Sequence, residues 1–118
     1  MYTYHPSIVY SDAFHNHIQS GFASVSYSED GKSCVIRVGD KKKVHITATG
    51  KNTYNYTEGT GSITDVVVNF AINDDATVTL IDADYWGRHL KSENNLKQFE
   101  HTIEYFAWAI ITDRIVRF

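Results

Sequence analysis

The chain has 118 residues and a mass of 13.4 kDa, the size of one ordinary domain. Hydrophobic residues make up 42% of it and charged residues 21%, which excludes a disordered chain, a collagen and a disulfide scaffold. The net charge of −3 argues against a general nucleic-acid binder, because phosphate contacts supply most of such a protein's affinity. The one basic run, Lys41-Lys42-Lys43, follows Asp40 and is interpreted as a solvated turn.

Cysteine content and the length of apolar runs indicate the cellular compartment of the protein. Cys34 is the only cysteine, so the chain has no intramolecular disulfide and no CxxC metal motif. Its apolar neighbours, Val35 and Ile36, predict a small core residue. The N-terminal residues lack the basic and apolar regions of a secretory signal, and the longest apolar run, 106–111, is too short to span a bilayer. These features predict a cytoplasmic protein that does not insert into membranes.

The N-terminal part predicts two short elements. Ile8 and Val9 favour a short strand over residues 7–10. Residues 12–19 predict a short helix, with the hydroxyl of Ser11 as its N-cap and Gly21 just after its end.

Five segments then alternate between apolar and polar residues, at 22–28, 33–38, 43–49, 63–72 and 77–83. Such alternation is typical of an antiparallel sheet with one buried and one wet face, and the short connections favour hairpins. The predicted inward residues include Val44, Ile46, Val68, Phe70 and Leu80. The connection over residues 50–62 is polar and is predicted to be a long loop.

After residue 92 the apolar period changes to that of a helix. The apolar positions have spacings of 3, 4, 3 and 4 and are Leu96, Phe99, Ile103, Phe106 and Ile110. Ser92 is the predicted cap of a helix over about 93–112, and Phe106 lies at the centre of its apolar stripe.

These elements predict a single α+β domain over residues 1–118. A twisted antiparallel sheet of five or six strands packs one face against a long C-terminal helix, with a short helix near the N-terminus. This order of elements resembles a small helix-grip arrangement, as in START-like ligand-binding domains. The resemblance implies a small-ligand cleft between the sheet and the helix, which is one alternative function.

Another alternative is a metal-dependent hydrolase or nuclease. Oxygen and nitrogen ligands for zinc are available if the fold brings together His15, His17, Asp82, Asp84 and His89. The pair His15 and His17 shares a face only in a strand, whereas the pattern here is helical, which weakens this hypothesis.

Other polar groups are interpreted as structural. Glu100, His101 and Glu104 are predicted to lie on a solvated helix face. The segment 59–62 lacks the third glycine of a dinucleotide fingerprint and precedes a strand, so it is interpreted as a flexible loop. No nucleophile motif and no cofactor motif is present, which favours a non-enzymatic protein.

Aromatic residues in polar segments suggest the leading hypothesis. Tyr54 and Tyr56 lie in the predicted loop, and Trp86 and Arg88 lie in the connection before the helix. Tyrosine, tryptophan and arginine are enriched at interaction hot spots. We therefore expect a protein-binding module, of the kind seen in small inhibitors and adaptors of phages and mobile elements, whose aromatic loops contact another protein.

A homodimer is also expected. Apolar residues off the predicted core faces suggest a contact between subunits. They are Val67 and Ile81 on the wet face of the sheet and Trp108 and Ile111 on the helix.

Overall fold

The structure, a computed structural model, describes residues 1–6, 8–60 and 63–108, without the side chains of residues 8–11, 63 and 108. The strands are β1 (Tyr2–Tyr4), β2 (Ala23–Tyr27), β3 (Ser33–Val38), β4 (Lys42–Gly50), β5 (Thr53–Thr60), β6 (Ile63–Ile72), β7 (Val78–Tyr85) and β8 (Arg88–Leu90). Helix α1 spans Ile8–Gln19. The C-terminal helical segment contains α2 (Glu93–Leu96), a 3₁₀ turn (Lys97–Phe99), α3 (Glu100–Thr102) and a π-helical stretch (Ile103–Trp108).

Within the described residues, eight antiparallel strands form one sheet. Its order is β1-β7-β6-β5-β4-β3-β2, and β8 pairs with the other end of β7. The α+β class and the antiparallel sheet are therefore confirmed. The expected five or six strands are too few, because the sequence pattern missed β1, β5 and β8. Strand β1 pairs with β7, so the N-terminus closes onto the last long strand.

The N-terminal strand predicted at residues 7–10 is wrong. Residues 8–10 belong to α1, which begins at Ile8 instead of residue 12, and Ser11 therefore lies inside the helix and is not its N-cap. Two β-branched residues, Ile8 and Val9, are too short a run to distinguish a strand from a helix. The buried ring of Phe14 fixes the helix against the C-terminal segment through edge contacts with Tyr105 and Phe106.

The C-terminal helical segment begins as predicted, with the Ser92 hydroxyl accepting a hydrogen bond from the Asn95 backbone N–H at 3.3 Å. It is not the regular long helix that we expected, because its geometry passes from α to 3₁₀, back to α and then to π. The predicted stripe is buried at Leu96, Phe99, Ile103 and Phe106. Ile110 and the predicted end near residue 112 lie outside the described residues.

The helices and the inner face of the sheet enclose the core. Predicted inward residues such as Ile36, Val44, Val68, Phe70 and Leu80 are fully buried. Cys34 is a core residue as predicted, and burial raises the pKa of its thiol to about 12. His45, Thr47 and Thr49 of β4 alternate with the core residues and face solvent.

Candidate functional site

Tyr54 and Tyr56 are core residues, so the prediction that they face outward from a loop is wrong. They lie in β5, and only 1% and 0% of their surfaces are exposed. The Tyr54 ring stacks on Phe70 at 5.5 Å between centroids, and the Tyr56 ring contacts Phe106 at 6.2 Å. Residues 53–60 pair with β4 on one side and β6 on the other, and this pairing carries every second side chain to the inner face. Gly59 and Thr60 are part of this strand and not of a flexible loop, whereas Gly61 and Ser62 lie outside the described residues.

The buried hydroxyl of Tyr56 has a local acceptor. It donates a hydrogen bond to Glu58 Oε1 at 2.6 Å, and Glu58 Oε2 lies 3.4 Å from Lys42 Nζ. Burial raises the pKa of Tyr56 well above its ordinary value, and the charge and hydrogen bond of Glu58 act in the same direction. The burial of Tyr56 and this chain of contacts leave it no role at an outer surface.

Trp86 and Arg88, by contrast, are exposed on the β7–β8 hairpin. We call Tyr85, Trp86 and Arg88 the hairpin-tip patch. Trp86 is 62% exposed, and Tyr85 is 39% exposed while its ring packs edge-on against Phe99. The backbone N–H of Trp86 donates to the Asp65 carbonyl at 2.9 Å, which fixes the tip against β6.

The backbone at this tip is unfavourable for tryptophan. Trp86 has φ 49° and Gly87 has φ 82°, the positive values that a two-residue type I′ hairpin turn requires. Asparagine or aspartate normally occupies the first of these positions, and a bulky side chain there is an outlier that costs about 1–2 kcal/mol. Because the indole is mostly exposed, its packing within the chain offsets little of this cost.

The five residues of the hypothetical zinc set do not form one cluster. His15 and His17 belong to α1, on the inner side of the sheet, where the His17 ring contacts Phe22 and Tyr105. The other three lie together on the outer face. His89 Nδ1 is 2.9 Å from Asp84 Oδ1, and His89 Nε2 is 3.9 Å from Asp82 Oδ2.

The outer-face residues are connected across the sheet. Asn55 Nδ2 donates to Asn69 Oδ1 at 2.8 Å, and Asn69 Nδ2 donates to Asp82 Oδ1 at 2.7 Å. Asp82 is therefore held by an amide and an imidazole from neighbouring strands. Among the described residues, no group of three or more His, Cys, Asp or Glu side chains has the arrangement of a metal-ion site.

Glu104 is buried, which corrects the interpretation of its helix face as solvated. Only 2% of its surface is exposed, while neighbouring His101 faces solvent.

Glu100, which is half-buried, connects the same segment to strand β1. Its side chain accepts a hydrogen bond from the Tyr2 hydroxyl at 2.9 Å, and its backbone carbonyl accepts one from the Tyr4 hydroxyl at 3.2 Å. Burial raises the pKa of Tyr4, followed by the charges of Glu104 and Glu100. Glu104 lies in the π-helical stretch Ile103–Trp108, in which Ile103, Phe106 and Ala107 are also buried.

Residues of the expected dimer contact are only partly described. Val67 and Ile81 are half-buried in the sheet, whereas the side chain of Trp108 and the whole of Ile111 lie outside the described residues. Two further aromatic residues are exposed at the edge strand β2: Phe22 (54%) precedes it and Tyr27 (42%) ends it. The sequence signal for them is an aromatic residue at each end of a short polar strand.

Comparison with known proteins found no matching family model, no matching curated protein and no matching solved structure. The part of the chain that the structure describes holds no helix with the length and apolar character needed to cross a membrane.

Proposed function

We propose that this chain is a non-enzymatic protein-interaction module that binds a partner protein through the hairpin-tip patch. The observation that carries the proposal is Trp86, a large aromatic side chain held mostly exposed on an unfavourable backbone conformation. Strained residues persist where the surrounding structure fixes them, and they cluster at binding sites.

The composition of the patch fits a protein partner. A few residues provide most of the binding energy at protein interfaces, and tryptophan, tyrosine and arginine are enriched among them because they bury large areas and retain a polar group. Tyr85 is anchored on Phe99, and the tip is fixed to β6 by the Trp86–Asp65 hydrogen bond. The patch is therefore preorganised, which lowers the entropy that binding must remove. Inhibitors and adaptors act through such a preformed surface without chemistry of their own.

Site-specific photo-crosslinking tests this proposal. A photoreactive phenylalanine analogue at position 86 should crosslink to one protein in a lysate of the source cells. The matched control has the analogue at position 22, since Phe22 is also exposed but lies at the far edge of the sheet. A crosslinked species found at position 86 and not at position 22 supports the proposal. Identical products at both positions, or none at position 86, contradict it.

A second candidate function, small-ligand binding inside the fold, is supported by the helix-grip-like order of elements. Ligand pockets are mostly apolar with a few polar groups, and the buried side chain of Glu104 places a polar group inside the core. A native mass spectrum tests it, because a bound ligand adds mass to the purified protein and Glu104→Gln should reduce the bound fraction. The bare polypeptide mass in both proteins would argue against it.

A further inference from the structure

A small basic pocket opens at the turn between β3 and β4. It has a volume of about 170 Å³, several times the ~30 Å³ that a water molecule occupies in the liquid. Its walls are formed by four cationic residues, one acidic residue and one glycine, namely Arg37, Lys41, Lys42, Lys43, Asp40 and Gly39. The lining therefore carries a formal charge of +3 in a chain whose net charge is −3.

The cations of this pocket are not equivalent. Lys42 extends on the inner side, where its Nζ lies 3.4 Å from Glu58 and 5.7 Å from the centre of the Phe106 ring. Its charge is thus compensated within the protein. Arg37, Lys41 and Lys43, by contrast, form no ion pair with a carboxylate in the described part of the chain.

Arg37 and Lys43 are also direct cross-strand partners. Both lie on the outer face, because they alternate with the buried residues Ile36 and Val44. Side chains in this relationship have Cβ atoms about 4.5–5.5 Å apart, and like charges placed so are destabilising. An anion between them converts this repulsion into two attractive contacts.

We propose that the Arg37–Lys43 pocket binds a tetrahedral oxyanion of the phosphate class. The guanidinium of Arg37 offers a planar, forked set of donors that matches two phosphate oxygens, and the lysine ammonium groups add point charges from the other side. Asp40 in the lining disfavours anions, so the pocket should prefer a dianion, which gains more from the three uncompensated cations than it loses to one carboxylate. Both inorganic phosphate and a phosphate monoester have this chemistry.

The test is an NMR titration of the full chain with inorganic phosphate, with chloride exchanged to keep the ionic strength constant. We expect saturable shifts of the backbone amides of Gly39 to Lys43 and of the Arg37 side chain. Arg37→Gln and Lys43→Gln should each weaken binding about tenfold, the loss expected for one charge-assisted hydrogen bond. Lys51→Gln is the matched control, because this exposed lysine lies in the β4–β5 turn at the opposite end of the sheet.

A second readout separates binding from folding. Phosphate should raise the thermal midpoint of the wild type and of Lys51→Gln, since a ligand that binds the folded state stabilises it. It should not raise the midpoint of Arg37→Gln, which remains folded because its side chain is exposed. Shifts that grow linearly without saturation, or equal phosphate responses in all variants, would overturn the proposal.

A parallel titration with O-phosphoserine distinguishes the sources of the anion. Affinity above that of inorganic phosphate points to a phosphate carried on a larger ligand, and equal or lower affinity points to the free ion. Trp86→Asn should leave the phosphate titration unchanged. The proposal of phosphate binding at the pocket can therefore be refuted without affecting the proposal of partner binding at the hairpin tip, and the reverse also holds.

Discussion

Tyr56 and Glu58 are two residues apart in β5, and the Tyr56 hydroxyl donates to the Glu58 carboxylate at 2.6 Å on the inner side of the sheet. This relationship lets a polar aromatic residue occupy a fully buried position. Tyr56→Phe should lower the free energy of unfolding by about 1–3 kcal/mol, because a hydrogen bond to a charged group is lost and Glu58 loses a donor. Chemical denaturation measures this change. Tyr85→Phe is the control, because the Tyr85 ring keeps its contact with Phe99, and an equal loss in both variants would contradict the assignment.

The buried phenols of Tyr56 and Tyr4 predict that the protein loses stability at alkaline pH. The pKa values of Tyr4 and Tyr56 are raised in the folded state, first by burial, so both phenols keep their protons where the unfolded chain begins to release them. Their stabilising contribution is complete below the ordinary value of 10.0 and is lost as pH rises above it toward the folded-state pKa. The denaturation midpoint should therefore fall above about pH 10, and less steeply in Tyr56→Phe. An unchanged slope in this variant would show that Tyr56 ionises freely.

The contrast between β5 and β6 explains how much of the fold the sequence predicts. Strand β6 was predicted over 63–72, the residues it occupies, because valine, phenylalanine and isoleucine alternate with polar residues. Strand β5 has the same period in Tyr54 and Tyr56, yet its other residues are threonine, asparagine, glutamate and glycine, a composition typical of loops. Pairing with β4 and β6 decides its conformation, and that pairing is not visible from local composition.

The candidate site was predictable to a similar extent. Exposure of Trp86 and Arg88 follows from their place beside a glycine turn, and the structure agrees. Glu104 was misassigned because the sequence pattern assumes a regular helix of period 3.6, whereas Glu104 lies in a π-helical stretch. The convergence of Asp82 with Asn69 and His89 depends on strand register, which no single segment specifies.

Phe106 connects the C-terminal helical segment to both other layers of the core. Its ring lies 5.9 Å from Phe14 of α1, 6.2 Å from Tyr56 of β5 and 4.7 Å from Tyr105. Phe106→Ala should cost about 3–5 kcal/mol, as large-to-small core changes do. A shift of the thermal midpoint by only a degree or two would mean that the segment does not dock through this ring.

Ala76 occupies a second left-handed position, with φ 70° in the turn between β6 and β7. Its backbone N–H donates to the Asn73 carbonyl at 2.9 Å, which fixes this conformation. Ala76→Gly should raise stability by up to about 1 kcal/mol, because relief of the ~1–2 kcal/mol conformational cost exceeds the entropy cost of glycine. Ala71→Gly, in the interior of β6, should instead lower stability by about 0.5–1 kcal/mol. Equal destabilisation by both changes would contradict the strain at Ala76.

Trp86→Asn separates the stability of the hairpin from its proposed function. Asparagine is favoured at the first position of a type I′ turn, so the variant should be up to about 1–2 kcal/mol more stable than the wild type. The indole that we propose as the binding anchor is absent from it. If Trp86→Asn binds the partner more weakly and is also more stable, the loss of binding cannot be caused by unfolding. If it binds the partner more tightly, the partner must contact a different surface.

The most direct test of the central claim is the dissociation constant of the complex with the protein crosslinked at position 86, measured by titration calorimetry. We predict that Trp86→Asn weakens binding at least about thirtyfold, the loss expected for a hot spot of about 2 kcal/mol, while its thermal midpoint is equal to or above that of the wild type. Phe22→Ala should bind like the wild type. A Trp86→Asn variant that binds with unchanged affinity would contradict the assignment of the hairpin tip as the interaction surface.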